Sequence, residues 1–363
     1  MIPVKAITVV PGSSNSLSLR EAPDPSPKRG ELLLRVHRVG VCGTDMDIIT
    51  GFYGEAPAGS PYLTIGHESL SRVERVGPGS RGFEAGDLVV PTVRRNCPEN
   101  CLNCRSGESD MCLTGHYSEH GIKGLHGFAS ELAVTDSRFV VKLPEALSEL
   151  GVLLEPLTIV EKGLNQAFGM QAGRMKWKPQ NALVLGAGPV GLLATALLRM
   201  KGLKVTAVAR KPPGSLKATL AASTGAAYVD VGDVPLSSME DRFDVVLEAT
   251  GSAAVALEAQ NLSGTNGVVS YIGIYRSQVG TEDAGKVFTN LVLGNRVYFG
   301  SVNANISYFR EGAADLVRIK RRFPGFLERL ITDKVPLSRW DDAYSAKGGD
   351  SVKTVLQLHQ DGH

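Results

Sequence analysis

Four of the five cysteines of the chain fall within one short run: Cys97, Cys101, Cys104 and Cys112, spaced C-x3-C-x2-C-x7-C. Four thiolates at such spacing suit a tetrahedral all-cysteine zinc site, closed to solvent and structural. Pro98, Asn100, Asn103, Ser106 and Gly107 between them let the backbone fold around a small ion. A set of unconnected reduced cysteines is the alternative, and the clustering argues against it. The fifth, Cys42, stands in V-G-V-C-G-T-D-M-D, and Gly66-His67-Glu68 follows downstream. Thiolate, imidazole and carboxylate are ligand types that zinc accepts, and a catalytic site takes about three from protein and leaves one position open. A lone Cys or His is usually an ordinary core or surface residue. The joint pattern makes Cys42, His67 and Glu68 a candidate second metal centre.

A further motif does nucleotide chemistry. Gly186-Ala187-Gly188-Pro189-Val190-Gly191 is G-x-G-x-x-G, placed after the apolar run Ala182-Leu183-Val184-Leu185 and before a helical stretch from Gly191 to Met200. In that context the first Gly permits the turn, the second lets backbone approach a pyrophosphate, and the third allows helix and strand to pack closely. NAD-selective sites usually end the second strand with an acid. Here that strand ends Val208-Ala209-Arg210-Lys211. Arg210 and Lys211 would attract a 2′-phosphate, so NADP is the preferred cofactor and NAD the second choice. A solvated basic turn is the competing reading of that pair.

The elements that must carry these residues are legible in outline. The 363 residues predict about two domains. Residues 1 to about 140 are rich in Gly, Pro and short apolar runs such as Glu31-Leu32-Leu33-Leu34-Arg35-Val36 and Asp87-Leu88-Val89-Val90, which read as a compact β-rich lobe. From about 145 to 172 leucines and valines recur at helical spacing. Then strands at Ala182–Leu185, Lys204–Ala209, Asp244–Glu248, Gly267–Ile272 and Val297–Gly300 alternate with helices, which implies a parallel sheet covered on both faces. The last strand is Lys353–Leu358.

Composition excludes several classes. A hydrophobic share of 43%, a charged share of 21% and 39 basic against 37 acidic residues describe a globular chain, not a disordered or collagen-like one. Near-neutral charge gives no basic face for nucleic acid. The start lacks the pattern of an export signal, and the apolar run Ala182–Leu198 holds too much Gly and Pro to span a bilayer. The expectation is a cytoplasmic protein with no membrane partner and no disulfides.

Taken together, Cys42-Gly43-Thr44-Asp45, Gly66-His67-Glu68, the four-cysteine lobe and the later G-x-G-x-x-G resemble the zinc-dependent medium-chain dehydrogenase/reductase family over essentially the whole chain. Val93-Arg94-Arg95, the run Gly121 to Phe128, Leu154-Glu155-Pro156-Leu157 and Glu161-Lys162 resemble the archaeal-type glucose 1-dehydrogenases within it. The resemblance implies an α/β architecture: a GroES-like β-rich catalytic domain (1–156 and 306–363, with the zinc lobe at about 94–115) and an inserted doubly wound Rossmann domain (157–305). It implies oxidation of an aldose, D-glucose foremost and D-galactose or pentoses as further candidates, at C1 to the lactone. A homotetramer or homodimer is implied as well.

By the same resemblance, Cys42, His67 and Glu68 hold catalytic zinc and Glu155 supplies a fourth, exchangeable ligand. Thr44 binds the reacting hydroxyl and starts a proton relay, with Asp47 either in the relay or a solvated surface acid. Glu119, Glu155 and Asn303 contact the sugar. Gly186, Gly188, Pro189, Val190, Gly191, Arg210, Lys211, Ile272, Gly273, Ile274, Ser301 and Asn303 line the cofactor site. Val93 and Ile159 stand where relatives can carry polar sugar contacts, which leaves the sugar open. The competing readings are a dehydrogenase for another polyol, threonine or a simple alcohol, and a catalytically inactive nucleotide-binding protein.

Overall fold

A computed structural model describes residues 3–275, 284–345 and 348–359. The chain divides into two units, one of residues 1–158, 303–317 and 331–363, the other of residues 159–302 and 318–330.

The first unit is built on a seven-stranded sheet and two smaller three-stranded ones. Its central strand, Glu31–Gly40, pairs antiparallel with Glu68–Val76, Leu132–Asp136 and Lys353–Gln357. Leu32, Leu34 and Val36 are buried, and with Val73, Val89 and Val140 the first two form a core cluster. The pairing Gly40 opposite Glu68 brings the acid beside the end of the central strand. The antiparallel return of Lys353–Gln357 brings the C-terminal strand to the same end. A second small ladder pairs Arg94–Arg95 with Ser118–His120, Arg94 opposite Glu119. The loop between these two strands carries all four clustered cysteines.

The second unit has a six-stranded, all-parallel sheet: β1 (Asn181–Leu185), β2 (Lys204–Ala209), β3 (Ala227–Asp230), β4 (Phe243–Glu248), β5 (Ser263–Tyr271) and β6 (Val297–Gly300). Their order is β3-β2-β1-β4-β5-β6, the doubly wound order with its switch point between β1 and β4. Leu183, Leu185, Val208, Val246 and Val269 form its core, buried as strands covered on both faces must be.

Three boundaries differ from the sequence expectation. The nucleotide helix spans Pro189–Met200 and starts two residues early, because Pro at a first helical position loses no hydrogen bond. Asn303 belongs to the first unit rather than to the nucleotide-binding one. Conversely, residues 318–330 belong to the second unit, although they were expected within a catalytic segment 306–363. The physical reason is the short helix Phe326–Leu330, which buries Phe326, Leu327 and Leu330 and packs on the helix Leu216–Ser223 of that unit.

Candidate active site and its relatives

The first unit brings Cys42, His67 and Glu68 together, with donor atoms within 4.8 Å of one another. Cys42 caps the N-terminus of the helix Gly43–Ile49. Its own N–H donates to Asp45 Oδ2 at 2.8 Å. The other oxygen of that carboxylate, Oδ1, lies 3.4 Å from His67 Nδ1. That contact is one of charge rather than a formed hydrogen bond, since His67 Nδ1 has no hydrogen-bond partner among the described residues. Asp45 thus touches both neighbours of the site, the arrangement by which a carboxylate orients a metal-binding imidazole and raises its basicity. Burial works against a charged His67, but Asp45 outweighs it and holds the pKa well above the ordinary range.

Glu68 is buried in an ion pair with Lys353 Nζ, which also donates to Val41 O at 3.0 Å. Glu155, in the first turn of the helix Leu154–Arg174, is buried as well and stands outside the converging triad. Burial pushes its carboxyl up to about 7; the His67 and Lys353 charges oppose the rise, while Glu68 and Asp45 add to it. Sulfur, nitrogen and oxygen donors converging in a buried site with an excess of acids fit zinc.

Thr44 Oγ1 lies 3.9 Å from Cys42 Sγ. Asp47 is buried, which removes the solvated-surface alternative for it: the short helix turns that residue inward beside Ile48. The structure also joins Glu119 to Asn303, whose Nδ2 donates to Glu119 Oε1 at 2.8 Å. Both are buried.

Cys97, Cys101, Cys104 and Cys112 also converge within 4.8 Å. Backbone N–H groups point at the sulfurs: Cys97 N at Cys104 Sγ (3.5 Å), Cys101 N at Cys97 Sγ (3.4 Å) and Leu113 N at Cys101 Sγ (3.4 Å). The backbone groups of Cys104 and Leu113 pull the Cys101 thiol down to about 6. Donors aimed at sulfur favour thiolates, the form that binds metal, so this loop also fits zinc.

In the second unit the glycines are placed as the fingerprint requires. Gly186 has φ +108°, and a Cβ on it would crowd Ala249 O; a Cβ on Gly191 would overlap Gly186 O, and one on Gly188 would meet open space. Pro189 and Val190 open the helix. Arg210 is exposed and Lys211 half-buried just beyond β2, and Tyr228 donates to Lys211 O at 2.8 Å. An acid missed from the sequence, Asp230, pairs with Ala209 in the ladder, but its Oδ1 accepts from Gly232 N at 2.9 Å. Ile272, Gly273 and Ile274 follow β5. Ser301 follows β6, and its buried hydroxyl has no hydrogen-bond partner among the described residues.

Asp45, Lys353 and Arg94 were given no role by sequence reasoning. Asp45 lay inside a quoted motif, three residues from Cys42, and an i, i+3 spacing was the available signal. Nothing in the spacing connects position 353 with 68 or 94 with 119.

Comparison with known proteins identifies the family. A family described as alcohol dehydrogenase GroES-like domain matches residues 28–145, and one described as glucose dehydrogenase C-terminus matches residues 148–358. The chain is 46% identical to glucose 1-dehydrogenase 1 of Caldivirga maquilingensis, over 98% of this chain and 99% of the relative. It is 45% identical to glucose 1-dehydrogenase 2 of Vulcanisaeta moutnovskia, over 98% and 100%. Among solved structures, glucose dehydrogenase of Haloferax mediterranei in complex with NADP, Zn and gluconolactone superposes with a TM-score of 0.90 at 33% identity, covering 98% of this chain and 99% of that one. With two matched families laid end to end along an α/β chain and relatives alike over nearly their full length, this chain belongs to the glucose dehydrogenase family of GroES-like, zinc-dependent dehydrogenases.

Proposed function

We infer that this chain is a zinc-dependent glucose 1-dehydrogenase. It oxidises an aldose, D-glucose foremost, at C1 to the aldonolactone and passes the hydride to NADP, with NAD as second cofactor. The observation that carries the reading is the convergence of Cys42, His67 and Glu68 within 4.8 Å, in a chain 46% identical to a glucose 1-dehydrogenase.

Cys42 and His67, with Glu68 and an exchangeable Glu155, would hold the catalytic zinc, and the four clustered cysteines a structural one. Zinc so held supplies Lewis acidity toward the C1 hydroxyl oxygen. Asp45 keeps the His67 ring turned and basic. The Thr44 hydroxyl receives the proton of the C1 hydroxyl and hands its own outward; Asp47, one helical turn on, is the acceptor on the same helix face. Glu119 and Asn303 bind hydroxyls remote from C1, and alignment of the C1–H bond is what they contribute. The balance is one hydride to NADP, one proton outward, one lactone formed.

Gly186, Gly188, Pro189, Val190 and Gly191 cradle the pyrophosphate at a helix start. Arg210 and Lys211 read the 2′-phosphate. Ile272, Gly273, Ile274, Ser301 and Asn303 contact the nicotinamide half. A homotetramer or homodimer belongs to the same proposal: the helix Ala284–Leu293 exposes Phe288, Val292 and Leu293, and β6 is an edge strand of its sheet. Light scattering tests it, and a monomer would refute it. No helix among the described residues is long and apolar enough to cross a membrane; a cytoplasmic location fits the five unpaired cysteines.

The test is reduction of NADP and NAD, followed by absorbance, with glucose, galactose, xylose, threonine and sorbitol in parallel. Turnover of glucose with NADP is expected. Turnover of threonine or sorbitol with no aldose oxidised would overturn the reading.

A further inference from the structure

The Glu119 carboxylate is gripped on one oxygen only. Its Oε1 accepts from Arg94 Nε and Arg94 Nη2, each at 3.0 Å, and from Asn303 Nδ2 at 2.8 Å. Three donors saturate a carboxylate oxygen, whose lone pairs offer about two good directions. Among the described residues no donor reaches Oε2. Arg94 is fixed in turn: its Nη1 donates to Asp110 O at 3.0 Å, and its guanidinium carbon sits 3.6 Å from the centre of the Tyr117 ring. Both members of the pair are buried. They sit directly opposite each other in the antiparallel ladder, so their separation is set by the backbone rather than by flexible side chains.

We propose that Arg94 is a positioning residue for sugar recognition, pinning Glu119 so that Oε2 alone is offered to a hydroxyl donor of a polyhydroxylated substrate. A lysine at this place would neutralise the charge but lacks the planar fork that converges two donors on Oε1 and sends a third to Asp110 O. Each guanidinium nitrogen is engaged within the protein, so Arg94 acts through Glu119 and does not itself bind the sugar. Asp110 lies between Cys104 and Cys112, so the same guanidinium ties the Glu119 carboxylate to the four-cysteine loop. The inference rests on the reading of Glu119 as a sugar ligand.

The test is a double-mutant cycle on the zinc-loaded enzyme: Arg94→Gln, Glu119→Gln and both together, with KM and kcat measured for glucose and for NADP. Arg94→Gln is expected to lower kcat/KM for glucose roughly ten- to a hundredfold, mostly through KM, with KM for NADP changed less than about twofold. In the Glu119→Gln background the same substitution is expected to add little, because it acts through a carboxylate no longer there. A raised KM in Glu119→Gln with an unchanged one in Arg94→Gln, or full additivity of the two, would overturn the role of Arg94 and leave Glu119 as a sugar ligand. An unchanged glucose KM in Glu119→Gln would refute that underlying reading, and the proposal with it. If the buried unpaired carboxylate keeps Arg94→Gln from folding, Arg94→Lys, which keeps the charge and loses the fork, carries the same comparison.

Discussion

Lys353 and Glu68 form an ion pair in which each side chain is only 2% exposed. One comes from the last strand of the chain and the other from an early one, joined by the central strand between them. Removing both charges from water is costly, so the pair holds only because each satisfies the other and Val41 O takes a further Lys353 proton. Burial disfavours the ammonium, but Glu68, Cys42 and Glu155 outweigh it and raise its pKa. Lys353 thus favours its charged form beside the candidate metal donors.

Breaking that pair leaves a buried carboxylate without its counter-charge. Lys353→Met is expected to destabilise the protein by about 3–5 kcal/mol, read as a lower urea midpoint, and Lys353→Arg by clearly less. Equal midpoints for wild type and Lys353→Met would show that the pair contributes nothing to the fold.

The four-cysteine loop is expected to hold one zinc per chain. Cys104→Ser should lose one equivalent by metal analysis and unfold at lower temperature, since a structural zinc contributes folding free energy directly. Undiminished zinc in that variant would remove the loop as a metal site.

Cofactor choice is expected to follow Arg210. Arg210→Asp should lower kcat/KM for NADP roughly tenfold or more, with a smaller effect on NAD, because a charge-assisted contact to the 2′-phosphate becomes a repulsion. An equal loss with both cofactors would show that Arg210 does not read the phosphate.

Acid lability is expected to trace in part to His120. Its ring is buried, stacks on Phe128 and places Nδ1 2.7 Å from His126 O, so Nδ1 carries a proton and donates it to that carbonyl. Burial, with Arg95 adding to it, lowers its pKa from 6.5 to about 3. The unfolded chain therefore takes up this proton first as pH falls. The contribution of His120 is full above pH 6.5 and declines between 6.5 and 3, by about 1.4 kcal/mol for each pH unit. His120→Asn should flatten the stability profile in that window by close to one proton. An unchanged slope would show that His120 is already charged in the fold.

The local chemistry was legible because it is written in short spacings. The cysteine cluster, the glycine fingerprint and most strands of the parallel sheet sit within windows where periodicity or ligand geometry acts on neighbours along the chain. What stayed hidden depends on register. Arg94 meets Glu119 through a short ladder, and Lys353 meets Glu68 because the last strand returns beside the central one. The transfer of residues 318–330 to the second unit likewise follows from packing of Phe326 and Leu330, apolar residues that would suit either core. Asp47 stood open between a relay acid and a solvated surface acid because nothing in its neighbours shows which way a short helix turns.

The central claim is a metal held by Cys42, His67 and Glu68, with Glu155 as the exchangeable fourth ligand. Zinc-edge anomalous diffraction on crystals grown with zinc tests it most directly. Two peaks per chain are expected, one among the four clustered cysteines and one at about 2.0–2.3 Å from Cys42 Sγ and a His67 ring nitrogen. A single peak, confined to the cysteine cluster in crystals of active enzyme, would contradict the account.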